Sequence, residues 1–206
     1  TPNTQLAVFD YPDFPVVFEL RGRPDRPGSK TMDVFRGIRT GVVVQCEGGS
    51  YAGYIGGAIY DLSGREIRKI TGDAGSKHLE NFLSAMRSRR AQDLAAPIET
   101  GHGSTSLCHY SNISHRIGRP ARLAEMQTAL GEFSVAGEAL QSLRQHLGAH
   151  GMDPDRRPLT LGPWLELDPR QDGIAAVAGG DETLLAAARG LLREPQRPPY
   201  VIPDRV

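Results

Sequence analysis

Cysteine and tryptophan are scarce in this chain, and neither sign of charge is in excess: 206 residues hold two cysteines, one tryptophan, and 24 basic side chains against 24 acidic ones. Cys46 and Cys108 form no CxxC pair, so neither a disulfide framework nor a cysteine-rich zinc site is supported, although a single bridge between them stays open. Zero formal charge argues against nucleic acid as a partner, which a basic excess would mark, and against a disordered solvating tail. No run reaches the roughly 18 consecutive apolar residues of a membrane span, and the opening TPNTQLAVFDYPDF has neither the basic start nor the apolar stretch of a signal peptide. The expectation is a soluble chain, cytoplasmic or exported according to what precedes it. It begins without Met and almost directly in a strand pattern, as a piece of a longer protein would.

Glycine (24) and proline (15) are abundant, well above the roughly 12 % of an average chain, which points to many turns. From residue 1 to 71 the apolar residues come in short β-branched or aromatic runs: QLAVFDY, VVFELRG, GVVVQCEGG, SYAGY, GAIYDL and EIRKI. This part reads as sheet. RGRPDRPGSK between the second and third runs reads as a loop, and Leu62-Ser63-Gly64 as a hairpin turn with Gly64 at positive φ.

Residues 72 to 206 read as helix-rich, closing on a C-terminal arm. Leu79, Phe82, Leu83 and Met86 share one helical face, with Ser76 as N-cap and Arg87, Arg89 and Arg90 as a solvated C-terminal end. A second helix is expected from about Ser104 to Ile117, stopped by Gly118. A third, capped by Ser134, carries Ala136, Leu140, Leu143 and Leu147 and ends by Gly151, and a last one runs near Asp181 to Arg193. Between them PLTLGPWLELDP holds Trp164, expected as a large buried aromatic. Strands first and helices later, without regular alternation, argue for one α+β domain over 1–206, with helices packed on one face of a largely antiparallel, open mixed sheet.

Several patterns imitate chemistry. GHGSTS at 101–106 matches GxGxxG/A and opens a helix, but DLAAPIET before it contains Pro97 and no buried strand, so a dinucleotide loop is rejected. The glycines of EGGSYAGYIGG lack GK[ST] and read as turns and bulges. There is no GxSxG, and Cys108 and His109, adjacent on a helix, point about 100° apart and form no dyad. Both cysteines read as buried and structural. His102 and His109, seven apart, share a helical face but lack a third ligand at an obvious spacing. His146 and His150 have chelating i, i+4 spacing but read as an exposed, frayed pair. His109, Asn112 and Arg116 line one strip of the second helix, which suits a cleft wall, a domain interface or a solvated face.

The segments HLENFLSAMRSRRAQDLAAPIETGHGSTSLCHYSNISHRIGR, PLTLGPWLELDP and ARGLLREPQRPPYVIP resemble, in that order, the C-terminal portion of a bacterial branch of the Gfo/Idh/MocA oxidoreductase family, with its HxxNF, EGHxSSxLCHxxNISYRxGR, LTLGPWLExDP and LLxRxYRxPFxVP patterns. TPNTQLAVFDYPDFPVVFELRG resembles the strand pair that follows the catalytic segment there. Gly103 stands where a larger apolar residue is usual, and His115 where Tyr is common. The resemblance implies a dihydrodipicolinate-reductase-like C-terminal domain whose partner is its own N-terminal Rossmann domain binding NAD or NADP. It implies no catalytic residue in this chain, because the family's EKP lysine and DxxxH segment lie upstream and Lys30, Lys69 and Lys77 match neither. No cofactor site, metal or membrane span is expected of the chain itself. The function implied is the substrate-binding and assembly domain of an NAD(P)-dependent oxidoreductase acting on a sugar, cyclitol or related polyol, forming homo-oligomers through its sheet. The alternative is a non-enzymatic carbohydrate-binding or oligomerisation module. His78, His102, His109, Asn112 and Arg116 are the candidates for the cleft or the domain interface.

Overall fold

In the computed structural model, which describes residues 2–131, 133–168, 170, 172–193 and 196–201, ten strands and five α-helices succeed one another. The first part contains β1 (Thr4–Asp10), β2 (Pro15–Arg21), β3 (Val42–Cys46), β4 (Gly49–Tyr54), β5 (Gly56–Tyr60) and β6 (Glu66–Thr71), then α1 (His78–Ser88). The second contains α2 (Ile98–Arg116), β7 (Arg119–Ala121), α3 (Leu123–Ala129), α4 (Ser134–Ala149), β8 (Leu159–Leu161), β9 (Leu165–Asp168), β10 (Gly173–Val177) and α5 (Glu182–Gly190). The class is α+β with antiparallel sheets. The strands fall into one four-stranded sheet, β3-β4-β5-β6, and the pairs β1-β2, β7-β8 and β9-β10. Two compact units result, Leu20–Gly101 and Thr1–Glu19 with His102–Val206.

In the unit of residues 20–101, successive hairpins build the four-stranded sheet in chain order, with Val44 opposite Tyr51, Ala52 opposite Ala58 and Ala58 opposite Lys69. The β4–β5 reversal is so tight that a Cβ on Gly53 would lie 2.1 Å from the Gly56 carbonyl, and Gly56 itself has φ +74°. Only glycine fits there. At the β5–β6 turn, Asp61 Oδ1 accepts from the Ser63 and Arg65 amides while Gly64 takes φ +80°, as its sequence predicts. The loop after β2 holds an Arg21–Asp33 ion pair.

Helix α1 corrects one expectation. Lys77, not Ser76, is its N-cap, without a side-chain bond; the Ser76 amide instead closes a turn onto the Asp73 carbonyl. Leu79, Phe82, Leu83 and Met86 do share a face, but all four are exposed, and Ala85 is the buried residue of the helix. Arg89 closes it in the left-handed conformation at φ +57°, and Asn81 ties it to the following segment through Asp93 O and Ala95 N.

The other unit has two apolar clusters. Tyr110 and Ile113 of α2 pack with Ile174 and Val177 of β10 and with Leu185 and Ala188 of α5. Ala121, Leu123 and Met126 pack with Leu140, Leu143 and Leu147 of α4, covered by Leu6, Leu159 and Leu161. Gly162 passes so close to α2 that a Cβ would sit 2.1 Å from Ser114 Oγ, whose hydroxyl donates to the Pro163 carbonyl. Helix α2 starts six residues earlier than expected. Its first bond runs from the Gly101 amide to the Pro97 carbonyl, so Pro97, with no N–H to satisfy, stands at the start of the helix. The N-cap of α4 is Phe133 and not Ser134, while Asp181 caps α5 by accepting from the Thr183 and Leu184 amides.

His146 is buried, not frayed: it lies on the inward stripe of α4 with Leu143 and Leu147, its ring 5.1 Å from that of His150. Both cysteines are exposed and free, Cys46 at the end of an edge strand and Cys108 on the outer side of α2. Trp164 is half-buried against Phe133. Of the expected C-terminal arm, residues 194, 195 and 202–206 lie outside the described residues.

Candidate functional site

Helix α2 carries His102, Ser106 and Tyr110 at i, i+4 and i+8, one side of the helix. Asp172, in the connection between β9 and β10, meets that side. Its Oδ2 lies 2.6 Å from His102 Nε2, its Oδ1 accepts from the Tyr110 hydroxyl at 3.1 Å, and the Ser106 side chain bonds the same carboxylate. Asp172 holds this place with φ +47°, the left-handed region that aspartate tolerates better than most residues carrying a Cβ.

Burial divides the cluster. Tyr110 is rooted in the core at 8 % exposure, whereas the side chains of His102 and Asp172 are 61 % and 53 % exposed. The His102 hydrogen bond, then the Tyr110 hydrogen bond, lower the Asp172 carboxyl below its ordinary value, so it is ionised at neutral pH. Burial first, and then the Asp172 hydrogen bond and charge, push the Tyr110 phenol up. An ionised carboxylate only accepts, so His102 Nε2 carries the proton and a neutral ring keeps its lone pair on Nδ1. The result is an imidazole held in one tautomer and presented at the surface, able to accept a hydrogen bond from a ligand hydroxyl or to take its proton.

The other candidates are placed separately. His109 and Arg116 are exposed on α2, and the Asp172 bonds go to His102, Tyr110 and Ser106 instead. Asn112 is half-buried, and its Oδ1 is a buried acceptor with no partner among the described residues. His78 opens α1 in the other unit and is exposed. The sequence reading missed Asp172, Ser106 and Tyr110. The 102/106/110 spacing was visible, but the aspartate lies 70 residues beyond His102, and only the β9–β10 hairpin reveals it.

Dinucleotide binding does not fit these residues. Gly101 and Gly103 lie inside α2, not in a phosphate loop, and Gly49, Gly53, Gly56 and Gly57 are strand residues. No group of three or more His, Cys, Asp or Glu able to hold a metal ion occurs among the described residues, and no helix among them is long and apolar enough to cross a membrane. Comparison with protein-family models, curated proteins and solved structures finds no match.

Proposed function

We propose that this chain is the substrate-binding and assembly domain of an NAD(P)-dependent oxidoreductase acting on a sugar, cyclitol or related polyol, and that His102, oriented by Asp172, contacts a substrate hydroxyl. The observation that carries this reading is the 2.6 Å His102–Asp172 contact on an exposed helix face. A solvent-exposed contact of this kind adds little to stability, so a ligand-facing role accounts for its geometry better than a structural one does. The ordered motifs that resemble the Gfo/Idh/MocA family, and the α+β class, support the same reading. NAD or NADP, together with the lysine that moves the proton in hydride exchange, would come from a Rossmann domain outside this chain, because the residues here do not fit a dinucleotide. Homo-oligomers through the sheet belong to the same proposal.

Calorimetric titration of the chain with glucose, sorbitol and myo-inositol tests it. At least one is expected to bind, and both His102→Gln and Asp172→Asn are expected to weaken it about tenfold, the roughly 1.4 kcal/mol of a hydrogen bond to an oriented group. Equal affinity in the variants, or no binding by any of the three, contradicts the role of His102.

A further inference from the structure

The unit that carries His102 has a concave feature lined by Asp10, Thr128, Ala129, Gly131, Phe133 and Trp164. Its volume of about 300 Å³ is at the small end of the roughly 300–1,000 Å³ range of small-molecule sites. Three elements converge to form it: the end of β1, the C-terminal turn of α3, and the Gly162-Pro163-Trp164 corner between β8 and β9. The Phe133 and Trp164 rings are 5.7 Å apart and tilted by 41°, an aromatic corner and not a flat stack.

The chemistry of the lining is one-sided. Among the described residues it contains one carboxylate, exposed Asp10, and no Lys, Arg or His. The Thr128 hydroxyl is spent on the Ala124 carbonyl, and the Gly131 amide on the Thr128 carbonyl. The indole N–H is the remaining side-chain donor. The side chains that face a guest are one carboxylate and two aromatic rings, which attract positive charge. An anion would meet the Asp10 carboxylate with no cationic side chain among the described lining residues to offset it. A neutral polyol would find acceptors but would leave the Asp10 charge uncompensated.

We propose that the Asp10–Phe133–Trp164 pocket is a binding site for a small organic ammonium ion. The cation sits against the two rings with Asp10 as its counter-charge. This site shares no residue with the His102–Asp172 cluster, so it stands whether or not the polyol reading does.

Trp164 is the single tryptophan of the chain, so its emission reports on this pocket directly. The full chain is titrated with choline chloride, with the neutral isostere 3,3-dimethylbutanol, with sorbitol and with sodium chloride as the ionic-strength control. Choline is expected to give a saturable change in emission, with at least tenfold weaker response to dimethylbutanol. Asp10→Asn, an exposed substitution expected to leave the circular dichroism unchanged, is expected to weaken choline at least fivefold without altering dimethylbutanol binding. Phe133→Leu is expected to weaken choline as well. No saturable change with choline beyond the sodium chloride control, equal binding of the neutral isostere, tighter binding of sorbitol, or indifference to Asp10→Asn each overturns the proposal.

Discussion

Asp172 is held at φ +47°, a conformation that asparagine also tolerates, so Asp172→Asn removes the charge while keeping the backbone. Its folded-state pKa lies below the unfolded value, with the His102 hydrogen bond as the first cause and that of Tyr110 as the second. The stability it contributes is therefore present above the unfolded carboxylate pKa and is lost as pH falls through the lowered folded one. Thermal unfolding of both proteins across pH 2–7 is the check: Asp172→Asn is expected to melt lower than the wild type near neutrality, with the gap closing as the solution becomes acidic. A gap independent of pH would mean that the carboxylate charge is not what matters. In the same variant the Tyr110 phenol is expected to ionise at lower pH than in the wild type, because the Asp172 charge no longer opposes it while burial still does. Ultraviolet titration of the phenolate measures that shift, and an unchanged titration would remove Asp172 from the causes. At this scale the sequence supplied His102 and one helical stripe, but not the carboxylate. A contact across 70 residues depends on where a hairpin turns, which local pattern does not encode.

At the scale of elements, strand alternation and hairpin chemistry were legible throughout residues 4–71, because each strand there pairs with its chain neighbour or ends in a turn whose residues announce it. Helix faces were legible too, as the inward stripe of α4 illustrates. Helix starts were less so. Ser76 and Ser134 satisfy the capping preference, yet Lys77 and Phe133 occupy those positions, and Gly101 and Gly103 hid the first turn of α2 behind a fingerprint-like pattern. These two glycines meet nothing within 4 Å of a built Cβ. Gly103→Ala is therefore expected to stabilise the protein by about 0.5–1 kcal/mol, whereas Gly53→Ala, whose Cβ would strike the Gly56 carbonyl at 2.1 Å, is expected to destabilise the four-stranded sheet severely. Denaturant midpoints measure both, and a destabilising Gly103→Ala would show that flexibility at the start of α2 has a cost to remove. The short strands β7 to β10 escaped the sequence reading because three to five residues give too few alternations to separate strand from coil.

For the whole molecule, composition bounded a neutral chain, the order of strands and helices pointed to its α+β class, and the motif order suggested its place as the substrate side of an oxidoreductase. The two units, Leu20–Gly101 and Thr1–Glu19 with His102–Val206, were not visible in composition, because the first and last parts of the chain join in one unit and only contacts distant in sequence reveal it. The unit that carries His102 is proposed to present an Asp172-oriented imidazole to a polyol. Nitrogen-15 spectra of the histidine rings, recorded while the chain is titrated with the tightest of glucose, sorbitol and myo-inositol, test it most directly. Free His102 is expected to show the Nε2-protonated tautomer, and its Nδ1 resonance to shift saturably with ligand, with His78 and His109 unmoved. A His102 resonance that stays fixed while ligand binds, or an Nδ1-protonated ring in the free protein, would contradict it.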